Sequence, residues 1–208
     1  MNLETSKNLG GVGAILMFVS VLLSYASVFS GLLSLVGLIL VLIAFKGLAD
    51  YYSDAGVFNN ALYTVILVVI GVVVAGALLF IAAVGLLAEL GIDAANIAEW
   101  SAGASQFTDV TALSGAVWDF IAQILLASVV LWICLIIGAV LLRKSLGIVS
   151  AKSGVGLFGT TGLLMLIGAV IPLIGLLIMW IGLLLLAVAF FQIRPQQAQP
   201  ATSAEAPT

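Results

Sequence analysis

Few residues of this 208-residue chain have the chemistry to form a site, and those few are widely spaced. Asp119 and Gln123 stand four apart, so a helix would place them on one face, one turn from each other. An ionisable group inside a membrane is costly and usually functional, as a cation site or a proton carrier. Asp119 directly follows Trp118, though, and tryptophan favours the headgroup boundary. A hydrated carboxylate at that boundary is the preferred account. Lys46, Asp50 and Asp54 recur at intervals of four. A helix continuing through them would make them neighbours able to pair. With Asn59 and Asn60 nearby, they offer a place to hold a cation or a partner. The simpler account is a solvated helix end with a surface ion pair, which stabilises little.

The remaining patterns argue against catalysis. The chain has no histidine, which removes the commonest metal ligand and acid–base catalyst. Its single cysteine, Cys134, lies within an apolar run where a thiolate is disfavoured. The stretch Gly154-Val-Gly-Leu-Phe-Gly159 matches the letters of a dinucleotide fingerprint. That motif needs a strand before it and a soluble helix after it. Here an apolar run follows, so a flexible helix entry is expected, with Gly159 and Gly162 allowing close helix contact. Glu89, Asp93, Glu99 and Asp109 are too scattered for a calcium loop and read as a solvated acidic loop. The residues Ile92, Ala95, Ile97 and Trp100 within it suit a short interfacial helix. The expectation is no catalytic residue, no metal site and no cofactor.

The elements that carry these residues follow from composition. Hydrophobic residues make up 64% of the chain and charged residues 7%, against roughly 25% charged in soluble domains. Several apolar runs exceed the roughly 18 residues that mark a spanning helix. The runs are apolar at every position, as in 62–87, so helices are expected and a barrel is not. The fold class is all-α, a polytopic transmembrane bundle of about six helices. The spacing predicts helices near 9–25, 32–48, 61–88, 117–142, 157–171 and 174–192. The third and fourth should be the longest. A polar lead, 1–8, precedes the helical region 9–194, and a Pro-, Ala- and Gln-rich tail, 195–208, should be disordered. The first apolar run lacks a convincing signal-peptide cleavage site and reads as a retained helix. Polar loops are expected at 49–60, 89–114 and 143–156, and a tight turn at Pro172.

With six spans, Lys7, Lys46, Arg143, Lys144, Lys152 and Arg194 all fall on one side, and that side should be cytoplasmic. Both termini would then be inside and the acidic loop 89–114 outside. Tyr25 and Trp118 would mark the outer boundary, while Trp132 and Trp180 would pack more deeply. An internal echo links Gly37-Leu-Ile-Leu-Val-Leu-Ile-Ala-Phe45 with Gly182-Leu-Leu-Leu-Leu-Ala-Val-Ala-Phe190. Met17 and Met165 stand in the preceding helices. A duplication of the first and last hairpins would be parallel, about an axis along the membrane normal.

The segments Leu3-Glu-Thr-Ser-Lys-Asn-Leu-Gly-Gly-Val-Gly13, Ala44-Phe-Lys-Gly-Leu-Ala-Asp-Tyr-Tyr52, Phe58-Asn-Asn-Ala61, Phe158-Gly-Thr-Thr-Gly162 and Leu185-Leu-Ala-Val-Ala-Phe-Phe191 together resemble DUF996, a family of uncharacterised, largely archaeal membrane proteins. The resemblance implies a membrane protein of archaeal type and, the family having no established activity, supplies no catalytic residues. The expected function is structural, scaffolding or accessory, with the lipid bilayer as partner and no nucleic acid. A homo-oligomer or a membrane-protein partner is left open. The alternative is a small channel or transporter using Asp119, Gln123, Asn59 or Asn60.

Overall fold

The computed structural model describes residues 2–23, 30–89, 110–172 and 174–194. Among them are six helices and no strand: α1 (Leu3–Leu23), α2 (Ser30–Tyr51), α3 (Ala55–Glu89), α4 (Val110–Ser153), α5 (Gly156–Val170) and α6 (Ile174–Gln192). All but α5 are long and apolar enough to cross a membrane. α3 has 35 residues and α4 has 44, which at 1.5 Å per residue is about 52 and 66 Å. They are the longest, as the apolar runs predict, and both exceed a hydrocarbon core of roughly 30 Å.

Several polar stretches expected as leads or loops are helical instead. α1 starts within the lead, at Leu3. The Asn2 Oδ1 accepts a hydrogen bond from the Thr5 N–H at 2.8 Å and caps the first turn, while Leu3 and Ser6 are buried. The basic segment 143–153 continues α4, because Ser145, Leu146 and Val149 extend its buried face past Arg143 and Lys144. The loop 49–60 shrinks to a turn at 52–54, since α3 restarts at Ala55. Residues 24–29 between the first two helices, most of the outer loop and the tail lie outside the described residues.

The chain divides into two compact units. The first, Met1–Leu62 with Leu141–Thr208, holds the two hairpins α1–α2 and α5–α6, joined by packing of α1 on α6. Each hairpin closes on glycines. A β-carbon on Gly13 would lie 2.6 Å from the Gly37 carbonyl oxygen, and one on Gly37 would lie 2.7 Å from that of Gly13. Gly168 and Gly175 meet backbone to backbone in the second hairpin. The sequence echo recurs as a contact: Met17 packs on Gly37, and Met165 packs on Gly182. The echoed phenylalanines Phe45 and Phe190 meet edge to face at 5.6 Å. Trp180 packs as expected, stacked on Phe18 at 4.6 Å, with its indole N–H donating to the Phe18 carbonyl at 3.1 Å.

The core of this unit gathers Phe45, Leu48, Val57, Leu146, Val149, Phe158, Phe190 and Ile193, all essentially inaccessible. It therefore lies at the end of the helices that carries the basic residues. All six Lys and Arg of the chain belong to this unit.

The second unit is Tyr63–Val140. Its described part is an antiparallel α3–α4 pair in which Gly71 meets Cys134 and Gly138 meets Thr64 and Val68, with the small residues Ala75, Ala82, Ala127 and Ala139 also buried. Such residues let helix backbones approach in lipid, where apolar area alone gives no preference for contact. Cys134 fills the space opposite Gly71, so packing accounts for the lone cysteine. The Thr64 hydroxyl donates to the Gly138 carbonyl at 3.0 Å and links the pair. Outside these contacts the surface is large and apolar, including Val73, Phe80, Ile81, Trp118 and Leu125, as expected for chains facing acyl tails.

Candidate functional site at the turn between α2 and α3

The α2–α3 turn is built by its own side chains. α2 ends at Tyr51, and Ser53 adopts a positive φ of 51° to reverse the chain. The Asp54 Oδ1 then accepts the Gly56 N–H at 2.9 Å, satisfying one of the orphan donors at the start of α3. Asp54 thus does not extend the Lys46–Asp50 ladder along one helix. Lys46 pairs with Asp50 alone, at 3.0 Å, and both side chains are more than half exposed. Its ammonium also lies 5.6 Å from the centre of the Phe58 ring, a favourable cation–π placement.

These groups line a shallow cleft of about 410 Å³ formed by Lys46, Asp50, Ser53, Asp54, Phe58 and Asn59. Three of the sequence candidates, Lys46, Asp50 and Asn59, therefore come together. Asn60 turns away and donates to the Gly56 carbonyl at 2.8 Å. Asp119 and Gln123 belong to the other unit, where Asp119 is exposed and Gln123 half-buried on α4. Burial raises the phenol pKa of Tyr52, with a smaller contribution from Tyr51, so Tyr52 stays neutral over the physiological range. The cleft thus offers one ammonium, a carboxylate paired to it and a carboxylate engaged in capping. This suits a solvated turn better than a reaction centre. No group of three or more His, Cys, Asp or Glu with metal-site geometry occurs among the described residues.

The Gly154–Gly159 stretch forms the α4–α5 turn. Gly154 has φ of 72° and donates to the Ser150 carbonyl at 3.0 Å, as a glycine closing a helix does. The Ser150 hydroxyl donates to the Val155 carbonyl at 3.1 Å. Gly162 lets α5 approach the Arg143 backbone, where a β-carbon would stand 3.1 Å from its Cα. The stretch is used for helix packing.

Two buried hydroxyls were not among the candidates that the sequence singled out for a site. Ser145 donates to the Val57 carbonyl at 2.6 Å and ties α4 to α3. Thr161 is fully buried and its Oγ1 has no hydrogen-bond partner. Their expected responses are opposite. Ser145→Ala should destabilise by about 1–2 kcal/mol, because the carbonyl it served stays buried. Thr161→Val keeps the shape and removes an unpaired group, so it should be neutral or stabilising by about 1 kcal/mol. Thermal unfolding in one detergent would read both; a loss at Thr161→Val as large as at Ser145→Ala would show that the hydroxyl is used.

The family model for a protein of unknown function, DUF996, matches residues 33–190. The uncharacterized protein MJ1644 of Methanocaldococcus jannaschii is 31% identical over 175 residues, covering 82% of this chain and 80% of the relative. No solved structure matches the chain.

Proposed function

The chain belongs to the DUF996 family, and from its interior we propose a non-enzymatic structural or scaffolding role in the membrane. The observation that carries this reading is the character of the buried residues. Among the described residues, the buried polar groups are the hydroxyls of Ser6, Ser20, Ser145 and Thr161, with no buried Asp, Glu, Lys or Arg. A proton relay or a pathway for charged substrates is usually lined by ionisable groups. A tightly packed apolar bundle instead holds helices in fixed register and presents a large surface to lipid and to other membrane proteins. The lipid bilayer is the constant partner, and self-association or a second membrane protein would use the exposed faces. The six basic residues support a cytoplasmic placement of the end that carries them, with both termini on that side and the 89–114 loop outside.

Affinity purification from native membranes, with ion- and solute-flux assays on the same protein in liposomes, tests the role. A stable self-assembly or a stoichiometric partner without flux is expected. Selective flux that Asp119→Asn abolishes would replace this reading with transport. For the orientation, Ser105→Cys in a Cys134→Ala background should react with impermeant thiol reagents on intact cells, and Ser203→Cys should not. The reverse pattern would overturn it.

A further inference from the structure

Charge is divided unevenly within the first unit. Its stretch Met1–Leu62 carries Lys7 and Lys46 against Glu4, Asp50 and Asp54. From Leu141 to Ala204 it carries Arg143, Lys144, Lys152 and Arg194, with no Asp or Glu. The carboxylates of the first stretch are already engaged. Glu4 lies 3.5 Å from Lys7 and Asp50 lies 3.0 Å from Lys46, while the Asp54 Oδ1 caps the Gly56 N–H. Within the described part of this unit, no carboxylate is left over for Arg143, Lys144 or Arg194.

Helix geometry puts the α4 cations on one surface. In the segment 143–152, Ser145, Leu146 and Val149 are buried, and Arg143, Lys144, Gly147, Ala151 and Lys152 are exposed. At about 100° per residue, the exposed set fills the half of the helix opposite the buried set. The segment is held in that orientation from two flanks. Ser145 bonds the Val57 carbonyl on α3, and Gly162 of α5 packs on Arg143 and Leu146. Between the cations stand only the small residues Gly147 and Ala151, and a β-carbon on Gly147 would meet nothing within 4 Å.

The depth of this surface follows from helices of the same unit. α2 and α6 are each long and apolar enough to cross a membrane. Lys46 stands where the apolar run of α2 stops, and Arg194 follows just past the end of α6. Their sequence neighbours Phe45 and Ile193 share one buried cluster with Leu146 and Val149. The exposed basic half of 143–152 therefore lies beside the ends of two spanning helices. Charge begins there because hydrocarbon ends there, which is the level of the lipid headgroups.

We propose that the exposed half of 143–152, together with Arg194, is a docking surface for the phosphate headgroups of anionic lipids. Arginine presents a planar fork of donors that matches a phosphate, and lysine adds a point charge. Basic residues beside a membrane gain about fivefold in preference for anionic lipid per cation. Lys7 and Lys46 contribute little, because a carboxylate already sits on each. This deepens the bilayer partnership proposed above by naming the lipid class. It rests on the chain being a membrane protein and holds for a scaffold and a transporter alike.

Native mass spectrometry tests it on the full chain, purified in a neutral detergent with equal amounts of phosphatidylglycerol and phosphatidylcholine of the same acyl chains. The readout is the ratio of the two lipids retained. The wild type should favour phosphatidylglycerol on the order of tenfold or more, given the gain per cation. Arg143→Gln with Lys144→Gln should lower that ratio at least about fivefold, and the charge-keeping pair Arg143→Lys with Lys144→Arg should preserve it. Lys7→Gln with Lys46→Gln should change it by less than about twofold, since exposed ion pairs hold those cations. A wild-type ratio near one overturns the proposal and leaves the surface to a soluble acidic partner. An equal fall at Lys7→Gln with Lys46→Gln overturns it too, because the preference would then follow total charge. Inorganic phosphate should displace no more lipid than chloride of equal ionic strength; selective displacement means a site for free anions and overturns the lipid assignment. Lys144→Gln with Arg194→Gln, both exposed, makes the same comparison where Arg143→Gln does not fold. Solute flux in liposomes would replace the scaffolding role and leave this surface standing.

Discussion

Gly175→Ala is expected to be among the most destabilising single-methyl changes in the chain. The added carbon would fall within the carbonyl group of Gly168 on the facing helix. Backbone cannot swing aside as a side chain can, so the helices must part or the turn at Pro172 must shift. Overpacking of this kind costs about 1–3 kcal/mol and occasionally more, and the absence of any side chain to yield puts this case at the upper end. Gly37→Ala should behave similarly in the first hairpin, because its β-carbon would lie 2.7 Å from the Gly13 carbonyl oxygen. Gly76→Ala and Gly147→Ala are the controls. Both positions are helical with nothing within 4 Å of a β-carbon, so alanine should be neutral or stabilising by up to about 1 kcal/mol. Thermal unfolding of all four variants in one detergent, followed by far-UV circular dichroism, checks the ordering. If Gly175→Ala unfolds with Gly76→Ala, the close crossing is wrong.

That contrast also marks what the sequence can and cannot reveal. Helix class and number follow from apolar run length, because lipid leaves the backbone no alternative to helix. α6 has the expected limits, 174–192, since Pro172 and Gln192 bound it. Helix ends at the basic side were not legible in the same way. Arg143, Lys144, Ser145 and Lys152 read as loop, yet Leu146 and Val149 continue a buried face between them. A hydropathy window averages such a face away, whereas its spacing of three is a helical signal. The candidate site was legible only as a set of letters. Lys46, Asp50 and Asp54 looked like one ladder, and the positive φ at Ser53 turned the third of them into a helix cap. Which glycines touch was beyond the sequence altogether: Gly71 and Gly76 look alike in it, and only Gly71 meets a neighbour. The echo between 37–45 and 182–190 was more informative, because it named both members of two contacts before any fold was drawn. The segments that resemble DUF996 also meet in space, with Phe45, Phe158 and Phe190 in one core.

Phe190→Ala should show that this aromatic core, and not the lipid-facing surface, sets the stability of the first unit. Phe190 is fully buried and meets Phe45 at 5.6 Å and Phe158 at 5.2 Å, both edge to face. The edge of one ring carries partial positive charge and the face partial negative, so each pair adds about 0.5–1.5 kcal/mol beyond burial. The ring also rests on Gly10, where a β-carbon would clash with it. α1 therefore has no side chain at that point to relax into the space left behind. Truncation to alanine would leave a cavity bordered by two rings and a glycine, and Phe→Ala cavities of this type cost about 3–5 kcal/mol. Phe191 provides the internal comparison. It is the next residue, it lies on Gly11, and it is 43% exposed, so Phe191→Ala should lose well under half as much. Phe190→Leu, which refills part of the volume without the ring edges, should fall between them. Trp180 stacks on Phe18 elsewhere in the same unit, and its fluorescence follows unfolding without an added probe. Equal midpoints for Phe190→Ala and Phe191→Ala would place the stabilising core elsewhere. A loss at Phe190→Ala that Phe45→Ala does not deepen additively would instead confirm that the three rings act as one unit, as residues in direct contact do.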